Sequence, residues 1–132
     1  MPLVLDASVT ASWHLRDESH VGSSDILDRL LIEGGVVPMH WWFEIRNVLM
    51  RSEQRGRASR QETDAFLDRL RRLPIEPALL PDELPILDLA RRHRLSFYDA
   101  AYLELAQRES HVLATFDHDL IAAAKAEGVT LA

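Results

Sequence analysis

Four acidic residues far apart in the chain, Asp6, Glu44, Asp99 and Asp117, carry the strongest chemical signal in this sequence. Carboxylates brought together repel, and each raises its neighbours' pKa unless a cation neutralises them. Such a cluster is kept mainly where a metal is wanted. Hard oxygen donors in a chain without cysteine suit Mg²⁺ or Mn²⁺, ions that activate water and stabilise the leaving oxygen of a phosphodiester. Ser8, Asn47, Ser96 and Thr115 lie beside the acids and are expected to orient carboxylates or metal-bound water. Asn47 stands one helical turn beyond Glu44. Asp119, two residues past Asp117, is either a fifth acid or an exposed helix residue.

Each acid also has a purely structural explanation. Asp6 and Asp117 each precede a helical segment and could cap it. Ser96 and Asp99 have the spacing of a capping box. Glu44 lies among Trp41, Trp42, Phe43, Ile45 and Val48, where an ionised carboxylate needs a partner, and Arg51 two turns on could supply an ion pair.

The elements that would bring the acids together follow from the pattern of apolar residues and turn formers. Pro2 to Leu5 reads as a buried strand ending at Asp6, followed by a helical segment from about Ala7. A helix through Asp25–Ile32 stops at Gly34-Gly35, which free the chain to turn. Val36-Val37 reads as a second strand closed by Pro38. A helix follows from Trp41 to Gln54, and the Ser59/Glu62 capping box starts another that runs to about Arg72. Pro74 and Pro77 bracket Ile75-Glu76, a turn or marginal edge strand. Helices over Asp82–His93 and Tyr98–Arg108 precede a strand at His111–Ala114. Asp117 then opens a last helix through Lys125, and Gly128–Leu131 reads as a final strand.

This alternation predicts an α/β fold with a mostly parallel sheet covered by helices on both faces, in one domain spanning 1–132. Ligands of such sheets bind beyond the carboxyl ends of the strands. Asp6 and Asp117 fall at those ends, Glu44 near the start of the helix after the second strand, and Asp99 at a helix N-terminus.

Four segments together resemble a PIN-domain ribonuclease and, in size, a VapC-type toxin of a toxin–antitoxin pair. They are Val4-Leu5-Asp6-Ala7-Ser8, Glu44-Ile45-Arg46-Asn47-Val48-Leu49, Ser96-Phe97-Tyr98-Asp99-Ala100-Ala101-Tyr102 and Leu113-Ala114-Thr115-Phe116-Asp117-His118-Asp119-Leu120. The resemblance implies a three-layer PIN-like fold and a Mg²⁺- or Mn²⁺-dependent endoribonuclease with Asp6, Glu44, Asp99 and Asp117 as its acidic site. It also implies a homodimer and a cognate antitoxin that blocks the pocket. On this reading Asp6 and Asp99 are the principal ligands, Glu44 binds directly or through water, and Asp117 completes the pocket. The bulky His40-Trp41-Trp42-Phe43 run before the second acid reads as a buried aromatic helix face or as an interface.

Composition narrows the alternatives. The 132 residues carry a net charge of -6, unlike a passive nucleic-acid coat, which is normally basic. The arginines crowded at Arg46, Arg51, Arg55, Arg57 and Arg60 read either as a solvated helix face or as a phosphate-steering patch. Absence of cysteine, of a signal-peptide pattern and of a membrane-length apolar run leads to the expectation of a cytoplasmic protein. The scattered histidines match no zinc motif, and His118 beside Asp117 reads as a solvent-facing helix residue. No phosphate-binding glycine loop is present. A dehalogenase-type site wants an aspartate where Ser8 stands. A receiver wants a lysine after its last strands, and the sole lysine, Lys125, falls within the terminal helix. A non-catalytic scaffold on the same fold is the remaining rival.

Overall fold

Leu3, Val4 and Leu5 are apolar on both sides of the chain, which suits a strand covered on both faces. In the computed structural model, which describes residues 1–14 and 21–132, these three form β1 (Leu3–Leu5) and are fully buried. β2 (Gly35–Val37) lies on one side of β1 and β4 (Val112–Ala114) on the other, while β3 (Ile75–Pro77) extends the sheet beyond β2. All three pairings are parallel, in the order β3-β2-β1-β4. The chain therefore winds outward from β1 to β3 and returns to the opposite side of β1. The winding reverses between β1 and β4, and a crevice opens beyond their carboxyl ends.

Among the described residues seven helices flank this sheet: α1 (Ala7–Ser12), α2 (Ser23–Glu33), α3 (Met39–Gln54), α4 (Arg60–Leu70), α5 (Glu83–His93), α6 (Phe97–Glu109) and α7 (His118–Ala126). The α/β reading of the sequence holds, as does the capping box at Ser59 and Glu62. α6 packs against β1 and β4, with α5 and α7 beside it. Residues Ala100 to Ala106 are all buried, as expected of a helix enclosed on every side rather than one with a single apolar stripe. α3 is different. Trp41, Ile45, Leu49 and Ser52 form a stripe at helical spacing that faces the core, and the Trp41 indole N–H donates to Thr10 Oγ1 at 3.1 Å.

Two expectations change. The segment Gly128–Leu131 forms no full strand; it makes only a parallel bridge between Leu131 and Leu113. The Val129 N–H is already used in closing α7, where it donates to the Ala124 carbonyl at 2.9 Å, so the ladder can start only at Thr130. The His40–Phe43 run is not a buried face. Trp41 is buried, but Trp42 and Phe43 are 51% and 69% exposed, and the Arg46 guanidinium lies 4.0 Å from the Trp42 ring centroid.

The end of α7 is held by a polar staple. Glu127 accepts from Arg92 of α5 at 2.8 Å and from Gln107 of α6 at 3.3 Å, and its other contact is His93 Nε2 at 2.7 Å. The contacts from His93 and Arg92 hold its carboxyl down at about 2. This fixes the helix that Asp117 begins.

Gly34 and Gly35 have separate tasks. Gly34 takes the left-handed turn after α2, at φ +78°, as the sequence suggests. Gly35 lies within β2, where an added Cβ would stand 2.7 Å from Leu30 Cδ1 and 3.2 Å from Leu5 Cδ1, both in the core. Gly35→Ala should therefore overpack the sheet and lower the unfolding free energy by about 1–3 kcal/mol, measured by chemical denaturation. An unchanged midpoint would mean that Leu30 moves aside freely.

Candidate active site

Asp6 leaves β1 at the crevice. It occupies the N-cap position of α1, yet its side chain makes no capping bond. Instead Oδ2 accepts two hydroxyls, Thr115 Oγ1 at 2.7 Å and Ser8 Oγ at 2.9 Å. Each hydroxyl spends its proton on Asp6 and accepts a backbone N–H from the loop after β4. Asp117 N donates to Thr115 Oγ1 at 3.0 Å, and Phe116 N donates to Ser8 Oγ at 3.2 Å. The two short side chains thus tie the buried carboxylate to the loop that carries Asp117. Burial pushes the Asp6 pKa up, the two hydroxyl bonds oppose this, and the charge of Asp117 adds to the rise.

Asp117 is the N-cap of α7 and accepts the Leu120 N–H at 2.9 Å, so its structural role is real. Its charge nevertheless acts on Asp6 and on Asp99. At the start of α6, Ser96 caps the helix by accepting the Asp99 N–H at 3.1 Å. The Asp99 carboxyl is half-buried. Burial and the charges of Asp6, Asp117 and Asp119 all raise its pKa, against a smaller lowering from Ser96. Asp119 is exposed and reaches the cluster through its field.

Glu44 comes from the second turn of α3. Its Oε1 accepts the Tyr102 hydroxyl at 2.8 Å, so the partner its aromatic setting demands is a phenol and not Arg51, which is exposed on the last turn of the same helix. His40 Nε2 stands 3.4 Å from the same oxygen without hydrogen-bond alignment. Burial lowers the His40 pKa, against a smaller rise from the Tyr98 backbone, which disfavours a charged ring beside Glu44. Burial raises the Glu44 pKa, the Tyr102 bond opposes it, and the charges of Asp6 and Asp99 add to the rise. Asn47 is exposed.

The four acids therefore stand in one electrostatic neighbourhood at the end of β1, α3, α6 and α7. Among the described residues no three Asp, Glu or His side chains are gathered tightly enough to form a closed ligand set. The pocket is an open acidic lobe. Of the second set of polar residues, Ser8, Thr115 and Ser96 bond to the acids or their backbone, and Asn47 has no such contact. Tyr102 and His40 were not singled out by the sequence; the available signal was a tyrosine one turn beyond Asp99, whose hydroxyl needs a partner if the helix is buried. Lys125, the lysine a receiver would need, is exposed in the last turn of α7.

An α/β sheet with acidic residues converging at its switch point defines a class of protein with an anionic crevice. The chain matches the PIN domain family over residues 3–126 and belongs to that family. It is similar in structure to PAE2754 from Pyrobaculum aerophilum, with 20% identity, a TM-score of 0.68, and coverage of 93% of this chain and 84% of that one. It is also similar to FitAcB from Neisseria gonorrhoeae, with 18% identity, a TM-score of 0.63, and coverage of 98% and 95%. At these identities the likeness establishes the fold. No curated protein matches the chain significantly.

A carboxyl whose pKa rises on folding costs stability when ionised. For Asp99 that cost is complete above the raised folded value. It fades as the pH falls towards the unfolded value of 3.8, because the folded state takes up the proton first. Asp99→Asn should therefore raise the melting temperature of metal-free protein by a few degrees at neutral pH, and the gain should vanish below pH 3.8. A variant that melts at or below the wild-type temperature at neutral pH would show that Asp99 is not under repulsion.

Proposed function

We propose that this protein is a metal-dependent endoribonuclease, the toxin of a toxin–antitoxin pair. The observation that carries the reading is the convergence of Asp6, Glu44, Asp99 and Asp117 on the switch-point crevice of a PIN fold. PIN domains are generally metal-dependent nucleases. The donor set fits Mg²⁺ or Mn²⁺: every donor is a carboxylate oxygen, and a cation offsets the burial and like charge that raise the pKa values of Asp6, Glu44 and Asp99. An open lobe is no obstacle, since Mg²⁺ keeps several waters and needs only one or two protein carboxylates.

Bound there, the ion would supply an activated water and a counter-charge for the phosphodiester. Asp6 and Asp99 would be its principal ligands. Asp6 is suited to that role because its two hydroxyl bonds fix it before any ion arrives. Glu44 would bind the ion directly or orient a water on it, and Asp117 would close the pocket or help hold a second ion. Ser8 and Thr115 keep Asp6 and the Asp117 loop in register, Ser96 keeps Asp99 at the helix terminus, and the field of Asp119 extends the acidic surface. Arg51 lies about 10 Å along α3 from Glu44, with Arg55, Arg57 and Arg60 beyond it. In this reading they meet the RNA backbone on its approach.

The VapC-type resemblance supplies the partners: a cognate antitoxin covering the acidic pocket, and a second copy of the chain in a homodimer. A cytoplasmic location goes with that role, and among the described residues no helix is long and apolar enough to cross a membrane. A non-catalytic binding module on the same fold is the second reading, favoured because the described residues form no closed ligand set.

The test is cleavage of folded RNA by antitoxin-free protein in Mg²⁺ or Mn²⁺, beside EDTA and Asp99→Asn. Cutting should occur with metal, disappear in EDTA and in the variant, and be suppressed when the antitoxin is added back. Metal-independent cutting, or full activity of Asp99→Asn, would sink the assignment. Failure both to cut and to bind divalent cation would favour the scaffold.

A further inference from the structure

Glu44 differs from the other three acids in being the most flexible, with one more rotatable bond than aspartate and its side chain about a third exposed. A ligand so placed must be ordered before it can serve, and ordering a free glutamate costs side-chain entropy. The structure holds one group that does this. Tyr102 is fully buried on α6, and its hydroxyl reaches Glu44 Oε1 at 2.8 Å, a bond between residues 58 apart in sequence. A phenol is a donor at neutral pH, and a hydrogen bond from it to a carboxylate belongs to the short, strong, charge-assisted kind.

The ring cannot swing away. It is enclosed in α6, and the His40 ring meets it edge-on at 4.8 Å between centroids. Tyr102 thus joins two elements at the pocket: α3 with Glu44, and α6 with Asp99 one turn earlier. Its bond is to Oε1, so Oε2 remains open.

We propose that Tyr102 is a positioning residue, which clamps Glu44 through Oε1 so that Oε2 is presented to a divalent cation shared with Asp6 and Asp99. This rests on the reading of the pocket as a metal centre. Tyr102 touches neither cation nor substrate in this scheme and acts only through Glu44.

The alternative is that Tyr102 merely fills the core and finds a convenient acceptor. A double-mutant cycle separates the two, using Mn²⁺ titrated calorimetrically into full-length, RNA-free protein. The four proteins are wild type, Tyr102→Phe, Glu44→Gln and the double variant. Tyr102→Phe removes one oxygen and keeps the ring, so its melting temperature without Mn²⁺ should stay within a few degrees of wild type. Its Mn²⁺ affinity should nevertheless fall about 10- to 100-fold, the usual effect of losing a group that orients a ligand. In the Glu44→Gln background the same change should alter affinity by less than about twofold, because the residue it acts through is gone. Unchanged affinity in Tyr102→Phe, or equal weakening in both backgrounds, would overturn the positioning role. Wild-type protein that binds no Mn²⁺ would overturn the metal-centre reading, and this inference with it.

Discussion

A carboxylate buried at the end of the innermost strand is the constraint from which the rest of the pocket follows. Asp6 is 6% exposed, and β1 before it has no exposure at all. An ionised group in that position must be bonded, or the fold must accept a protonated acid. Here the bonds come from Ser8, two residues on, and from Thr115, at the end of the neighbouring strand. Parallel pairing of β1 with β4 sets Leu5 against Ala114, and this register delivers Thr115 to the carboxylate. The same register fixes the loop that carries Asp117. One buried acid therefore determines how two strand ends are tied together and where a second acid must lie.

The other half of the pocket depends on α6. A helix enclosed on every side can carry polar groups only where each finds a partner, and its buried polar side chains do. Tyr102 is bonded to Glu44, and Glu104 pairs with Arg108 at 2.8 Å. Asp99 escapes this demand by its place in the first turn, where the helix end opens on the crevice and the helix dipole favours an anion. The enclosed position of α6 thus lets one helix offer an acid to the pocket and a clamp to the acid beside it. What the arrangement leaves unresolved is burial and repulsion: Asp6, Glu44 and Asp99 are all raised by burial, and further by nearby acids, Asp6 by Asp117, Glu44 by Asp6 and Asp99, and Asp99 by Asp6, Asp117 and Asp119. A divalent cation resolves it most directly.

The sequence made the sheet and the four acids legible because these rest on local signals. Short apolar runs marked the strands, the first a buried one ending at Asp6, and the prolines around Ile75-Glu76 marked either a turn or a marginal edge strand, which proved to be the edge strand β3. What it did not reveal depends on contacts between distant segments. Arg51 was the nearest cation to Glu44 on its own helix, whereas the partner is Tyr102 on another helix. Asn47 follows Glu44 by one turn, but at 3.6 residues per turn it lies about 60° further round, away from the Ile45 stripe, and so it faces solvent. Phe43 is exposed for the same reason, lying about 160° round α3 from Trp41, whereas Trp42 is exposed at the border of the stripe, about 20° from Leu49. The last strand failed because a helix-closing bond had already taken its first donor.

The central claim is that the crevice is an acidic cluster held ready for a cation. Carbon-detected NMR titration of the Asp and Glu carboxyls, with and without saturating Mg²⁺, tests it without needing the right RNA. In metal-free protein Asp6, Glu44 and Asp99 should titrate above ordinary carboxylates, and Mg²⁺ should bring all three down together. Ordinary values in the metal-free protein, or raised values that Mg²⁺ leaves where they were, would contradict the claim.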